Sequence, residues 1–247
     1  MKFIHIADLH ANKQRLEPCM QVLESIKNYI IEHSNSKEDA PPLLIAGDFW
    51  DNTITNTENS GFSTYVEAMD SIIKRTEVYM IYGTPFHEPR GSLEIFRKMG
   101  AYIFSAPGTF TYKDKYSVYA MPEPRKSNYP ALPHQELTKA ILDDLRTNLD
   151  KFKIFKDSSK VPVNVMMYHG EIKGCTYQNG MRVADSSYAI PKNWLADLNM
   201  DYIACGHIHM PQEVEGVPNC YYSGSCYPVN YGEGHIAGMN IVEISEE

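Results

Sequence analysis

The chain has no apolar run long enough to cross a bilayer; its longest stretches, such as 160 to 168, fall far short of the roughly 20 residues a spanning helix needs. The opening Met1-Lys2-Phe3-Ile4-His5 leads directly into a strand pattern and lacks the hydrophobic segment of a secretory signal. Neither a membrane span nor secretion is expected. Cysteine is scarce: five residues, at 19, 175, 205, 220 and 226, with no C-x-x-C pair. This odd, scattered set suggests neither a disulfide framework nor a thiolate zinc site, and it fits a cytoplasmic location. Glycines in phosphate-loop or dinucleotide-binding spacing are missing as well, and no internal repeat or low-complexity tract appears.

Positive charge is lacking in the last quarter, where residues 193 to 247 hold no lysine or arginine against eight acidic residues. Such a segment is poorly suited to face a phosphate backbone. The whole chain carries a net charge of −8, which argues against a broad basic footprint for nucleic acid. Two segments run the other way: residues 85 to 130 hold seven basic against four acidic residues, and 151 to 192 hold seven against three. A local electropositive groove is compatible with that distribution. Arg90, Arg125, Lys126, Lys173 and Arg182 are the phosphate-contact candidates, although solubility is the commoner role of any one surface cation.

With 247 residues, 43% of them hydrophobic and 22% charged, the chain has material for one large core, and a single domain over 1–247 is expected. Residues 2 to 7 alternate as a short strand, and 14 to 33 place Leu16, Met20, Leu23, Ile26, Ile30 and Ile31 near helical spacing. The buried run Leu43-Leu44-Ile45-Ala46, a helix near 62 to 75 and the strand Val78 to Tyr82 complete a βαβαβ start, which implies a parallel sheet. A short helix near 92 to 99, β-rich sequence around 109 to 121, a proline-rich loop and a helix over about 134 to 152 follow. Val161 to Tyr168, Tyr202 to Cys205, Tyr221-Tyr222 and Gly238 to Ile244 read as strands, the last ones close enough in sequence to pair antiparallel.

Five of the nine histidines and two aspartates fall at the ends of these strands: Asp8-Leu9-His10, Gly47-Asp48, His87, His169-Gly170 and Gly206-His207-Ile208-His209. Loops beyond the carboxyl ends of parallel strands converge on one crevice, so ligands scattered in sequence can meet there. Oxygen and imidazole donors without thiolate suit manganese, iron or zinc, and a two-metal hydrolytic site in particular. Each motif alone is weak, since Asp-x-His is common by chance and Gly-Asp after a strand is often only a turn. The ordered set weighs more. His5 alternates inward and reads as a core residue, Cys205 reads as core packing, and His33, His134 and His235 read as solvated.

Taken together the series resembles the calcineurin-like metallophosphoesterases, whose order is D-x-H, G-D-x-x-D, G-N-H-D/E, H and G-H-x-H. Here the motifs stand as Asp8-Leu9-His10, Gly47-Asp48-Phe49-Trp50-Asp51, Gly83-Thr84-Pro85-Phe86-His87-Glu88, His169 and Gly206-His207-Ile208-His209. Within that superfamily His5 to His10, Asp201 to His209 and Tyr222-Ser223-Gly224-Ser225 look like SbcD-type DNA-repair exonuclease subunits, which work with an SbcC-type ATPase.

The resemblance implies an αββα sandwich of two mixed β-sheets flanked by helices. It also implies a metal-dependent phosphodiesterase, a DNA exonuclease or endonuclease, that uses two divalent ions, manganese first, with iron, zinc or magnesium as alternatives. Asp8, His10 and His209 would hold one ion, and His169 and His207 the other, with Asp48 bridging. His87 would protonate the departing sugar oxygen. Asp51 would orient a ligand and not bind metal itself.

Thr84 departs from the pattern, standing where relatives carry an asparagine ligand, and the expectation is a weak hydroxyl ligand at the second ion. The chain also stops soon after its last strand, and Met210 stands where many relatives have arginine, which lowers the expectation of an ATPase partner and a long duplex substrate. A homodimer, a phosphodiesterase for cyclic or small nucleotides, and a non-catalytic binding module are the remaining readings.

Overall fold

The computed structural model describes residues 1–51, 61–184, 188–229, 234 and 237–245. The first half of the chain runs β1 (Lys2–Ile6), α1 (Leu16–His33), β2 (Leu43–Ile45), α2 (Phe62–Ile73), β3 (Val78–Ile81), α3 (Glu94–Met99) and β4 (Tyr102–Phe104). The second half runs β5 (Gly108–Tyr112), β6 (Tyr116–Met121), α4 (His134–Ser158), β7 (Val163–His169), α5 (Lys192–Ala196), β8 (Tyr202–Gly206), β9 (Gln212–Glu213), β10 (Cys220–Tyr222) and β11 (Asn240–Glu243). One sheet has the order β11-β1-β2-β3-β4 and the other β5-β6-β7-β8-β10-β9. Strands β1 to β4 are parallel, as are β6, β7, β8 and β10, while β11, β5 and β9 add antiparallel edges. Both sheets are therefore mixed, as expected.

Three apolar layers hold the sandwich together, and the strand sequences show why. In β1, Ile4 and Ile6 face the helices while Phe3 faces the other sheet, so every position after the exposed Lys2 is buried on one side or the other. Helix α1 buries Cys19, Leu23, Ile26 and Ile30, one stripe at three- and four-residue spacing. Helix α4 covers the second sheet with Ile141, Leu145, Leu149 and Phe152. Truncating one such side chain to alanine costs about 2–5 kcal/mol through lost transfer energy and the cavity left behind.

Two expectations need correction. Strands β8 and β10 pair parallel, because the connection between them folds back through β9, and it is β9 that lies antiparallel on β10. The last strand crosses to the other sheet and pairs with β1, Lys2 opposite Glu243. Helix α4 also continues to Ser158, past the expected end near 152, since nothing in Lys151 to Ser158 breaks a helix. The five cysteines are free and buried. Among the described residues no helix is long and apolar enough to cross a membrane.

Candidate metal centre

Six parallel strands, three from each sheet, end at one edge of the sandwich, and the loop after each contributes to a single cluster. From the first sheet come Asp8 and His10 after β1, Asp48 after β2, and Thr84 and His87 after β3. From the second come Glu123 after β6, His169 closing β7, and His207 and His209 after β8. Backbone strain collects here: Asp8, His10, Asp48 and His207 all have positive φ, at 53°, 47°, 51° and 98°. Left-handed backbone is costly for residues with a Cβ and persists where surrounding contacts enforce it. A Cβ on Gly83 would fall 2.2 Å from Asp48 Oδ1, so glycine is required for the third loop to approach the Asp48 carboxylate.

Asp8, His10 and His209 form the first convergent group. The backbone N–H of His207 donates to both Asp8 oxygens at 3.1 and 3.0 Å, tying the first sheet to the second across the site. His10 Nε2 and His209 Nε2 approach to 3.0 Å, so two imidazole donor atoms aim at one point. On its far side the His10 ring faces Asp51, with Nδ1 3.4 Å from Oδ1. Asp51 is itself held by Asn12 at 2.6 Å and Arg15 at 3.3 Å. The His10 contact, opposed by burial and helped by Asn12 and Arg15, brings the Asp51 carboxyl down to about 2. His87 Nδ1 donates to the Asp51 carbonyl, which leaves Nε2 for the site.

Glu123, His169 and His207 form the second group. His169 Nδ1 donates to the Ala46 carbonyl at 2.7 Å, fixing the tautomer and leaving Nε2 to face Asp48 Oδ2 at 3.4 Å and Glu123 Oε2 at 3.7 Å. Asp48 also converges with Asp8 and His169, and separately with His10 and His87, so one carboxylate reaches both groups. Burial raises its pKa, but His169, His10 and His87 more than reverse this and hold it well below the usual range. Burial likewise disfavours a charge on His169, yet Asp48, Asp8 and Glu123 outweigh it and push its pKa up. The cluster by itself recruits positive charge, and its oxygen and imidazole donors fit divalent cations.

The structure brings Asp8, His10, Asp48, His87, His169, His207 and His209 together, with Thr84 beside them and Asp51 behind His10. Arg125 is a correction: it is buried, donates to the Glu88 carbonyl and lies over the Tyr82 ring at 5.3 Å. Its guanidinium is engaged inside the fold by these two groups and is not a freely solvated surface cation. Lys126 lies 5.6 Å from the ring centre of Tyr188, which with Glu123 and His207 borders a cavity of about 180 Å³. Arg90 is exposed and donates to Asn128, Arg182 is exposed, and Lys173 is half-buried.

His5 is buried as expected, His33 and His134 are exposed, and His235 lies outside the described residues. Glu123 carried no motif in the sequence; its one signal was its place two residues beyond a strand, near a strand end like the rest of the cluster. Sequence reasoning also left Glu88 unused. That buried carboxylate accepts from Phe49 N at 2.8 Å and Gly83 N at 2.6 Å, strapping the Asp48 loop to the Thr84 loop, and burial together with the Asp48 charge pushes it up to about 7.

Two packed mixed sheets with a carboxylate and imidazole cluster at their strand ends define a metal-dependent hydrolase of the sandwich class. The calcineurin-like phosphoesterase family model matches residues 1–211, and the chain belongs to that family. Membership implies metal-dependent phosphoester hydrolysis at a dinuclear centre, and the two convergent groups supply candidate ligands for it. No curated protein matches the chain.

Proposed function

We propose that the chain is a nuclease that hydrolyses phosphodiester bonds in DNA, with manganese as the metal its oxygen and imidazole donors suit best. The observation that carries this reading is the pair of convergent groups joined by Asp48, with His87 at their edge. When bound, two divalent ions would neutralise the phosphodiester and make a hydroxide nucleophile available near neutral pH. Asp48 holds the two groups in register. His87, its Nδ1 engaged by the Asp51 carbonyl, offers Nε2 as the proton donor to the departing sugar oxygen. Phe86, next in the chain to His87 and 68% exposed, offers a flat apolar face on which a base of a nucleic-acid strand would stack.

A second reading, hydrolysis of cyclic or small nucleotides, is favoured by the cavity of about 180 Å³ beside His207, whose size suits a single base. One experiment separates them. Metal-stripped protein is given manganese with labelled single- and double-stranded oligonucleotides, beside bis-p-nitrophenyl phosphate and cyclic nucleotides. Cleavage of oligonucleotides well above the cyclic nucleotides supports the nuclease; the reverse order supports the second reading. No turnover of any substrate overturns both and leaves a binding module.

A further inference from the structure

We infer that Glu123 is a protein ligand of the second metal ion and that the Thr84 hydroxyl orients it without binding metal. The inference rests on the dinuclear reading of the site and names the residue that completes its second half.

Glu123 stands in Pro122-Glu123-Pro124, just beyond β6. A residue before proline is confined to extended backbone, and the ring of Pro124 fixes the next φ, so this loop has little freedom to lose. It is also anchored on both sides. Glu123 N donates to the Tyr82 carbonyl at 3.2 Å, and Arg125 is held by the Glu88 carbonyl and the Tyr82 ring.

The carboxylate this loop delivers lies among donors. Glu123 Oε2 is 3.7 Å from His169 Nε2 and 3.6 Å from His207 Nδ1. Both distances exceed a hydrogen bond, and they are close to the roughly 3.4 Å that separates donor atoms bound at about 2.1 Å around one cation. His169 has only Nε2 to offer, since Nδ1 is spent on Ala46.

Thr84 is placed differently. Its hydroxyl lies 3.0 Å from Asp48 Oδ2 and 3.1 Å from Glu123 Oε2, two acceptors for one proton. A neutral oxygen engaged in this way is a poor competitor for a dication beside a carboxylate. The hydroxyl also lies 3.5 Å from His169 Nε2, but its two shorter contacts are those of a group that sets the direction of two carboxylates. With Asp8 and Asp48, Glu123 brings a third carboxylate to the cluster. It leaves the loaded centre one charge less positive, which favours a singly charged diester over a doubly charged monoester.

Manganese titration of the metal-stripped protein, followed by calorimetry and by electron paramagnetic resonance, tests the assignment without any turnover. Wild type should bind two ions with the spectrum of a coupled pair. Glu123→Ala should keep the first ion at unchanged affinity, weaken the second by about 100-fold or more, and show an isolated manganese signal at one equivalent. Glu123→Gln, which keeps the shape, should fall between the two, and Thr84→Ala should weaken the second ion by about tenfold or less.

Two ions in wild type with unchanged second affinity in Glu123→Ala would overturn the assignment alone. A greater loss in Thr84→Ala than in Glu123→Ala would overturn it too, as would loss of both ions together in Glu123→Ala and Glu123→Gln, which would make Glu123 structural. Wild type binding a single ion would overturn the dinuclear reading and this inference with it.

Discussion

Asp8, His10 and His209 reach their half of the centre from two different sheets, whereas Glu123, His169 and His207 all come from neighbouring parallel strands of one. The first half holds only while the sheets stay packed: the backbone N–H of His207 ties the second sheet to Asp8, while Asp51 and Arg15, from the first sheet's own loops, steady His10 behind it. The second half rides on the ladder of β6, β7 and β8, whose register places three strand ends side by side. One half therefore depends on tertiary docking and the other on sheet pairing. Asp48 belongs to both, and His87 only to the first.

The largest expected effect removes the shared group. Asp48→Asn should lower phosphodiester hydrolysis by about 10³-fold or more and weaken manganese binding at both halves, since the lost interaction is worth several kcal/mol. Affinity lost at one half alone would show that Asp48 does not join them.

His87→Ala comes next, with a loss of about 10²-fold on substrates with poor leaving groups and little change on aryl esters, whose leaving group departs without a proton. Metal affinity should hold in both halves. Equal losses on both substrate types would make His87 a ligand of the first half, a role its grouping with His10 and Asp48 also allows.

A third test bears on the docking itself. His5, on the strand that leads to Asp8, is buried between the sheets, with Nδ1 2.9 Å from the Tyr202 hydroxyl of the opposite sheet. Burial, only slightly offset by a backbone contact at Cys205, drops its pKa to about 3. The unfolded chain takes up this proton near pH 6.5 and the folded chain does not, so the stability is present at neutral pH and is lost as pH falls from there towards 3. Between pH 7 and 5 this amounts to about 2 kcal/mol. In metal-free protein, denaturant unfolding of His5→Gln should show a pH dependence flatter by that amount. Parallel curves for the two proteins would remove His5 as the cause.

The smallest effect separates the halves most cleanly. Asp51→Asn should weaken the first ion by about tenfold and leave the second untouched, because the Asp51 carboxylate faces His10 at 3.4 Å and His87 at 3.8 Å. A manganese titration in which both ions shift together would mean that the halves are not independent.

Much of this was readable from the chain. The βαβαβ start, the helix stripe of α1 and the ordered motifs follow from local patterns, because burial on two faces writes near-continuous apolar strands and metal chemistry requires particular side chains. The pairing of β8 with β10 was not readable, since proximity in sequence suggests a hairpin and the chain instead returns through β9. Arg125 read as a surface cation because its position in a basic, proline-rich loop says nothing of the Glu88 carbonyl that receives it.

Glu123 shows where the division lies. Sequence alone determined the principal strands and helices, though not β4, β9 or α5, and the identity of the histidines and aspartates at the strand ends, since each depends on near neighbours or on the chemistry of a single side chain. Only the tertiary structure decided which carboxylate meets which imidazole. The direction of a loop side chain is set by long-range contacts, here the Tyr82 carbonyl and the Thr84 hydroxyl, whose strand pairs with β2 and β4 in the other sheet.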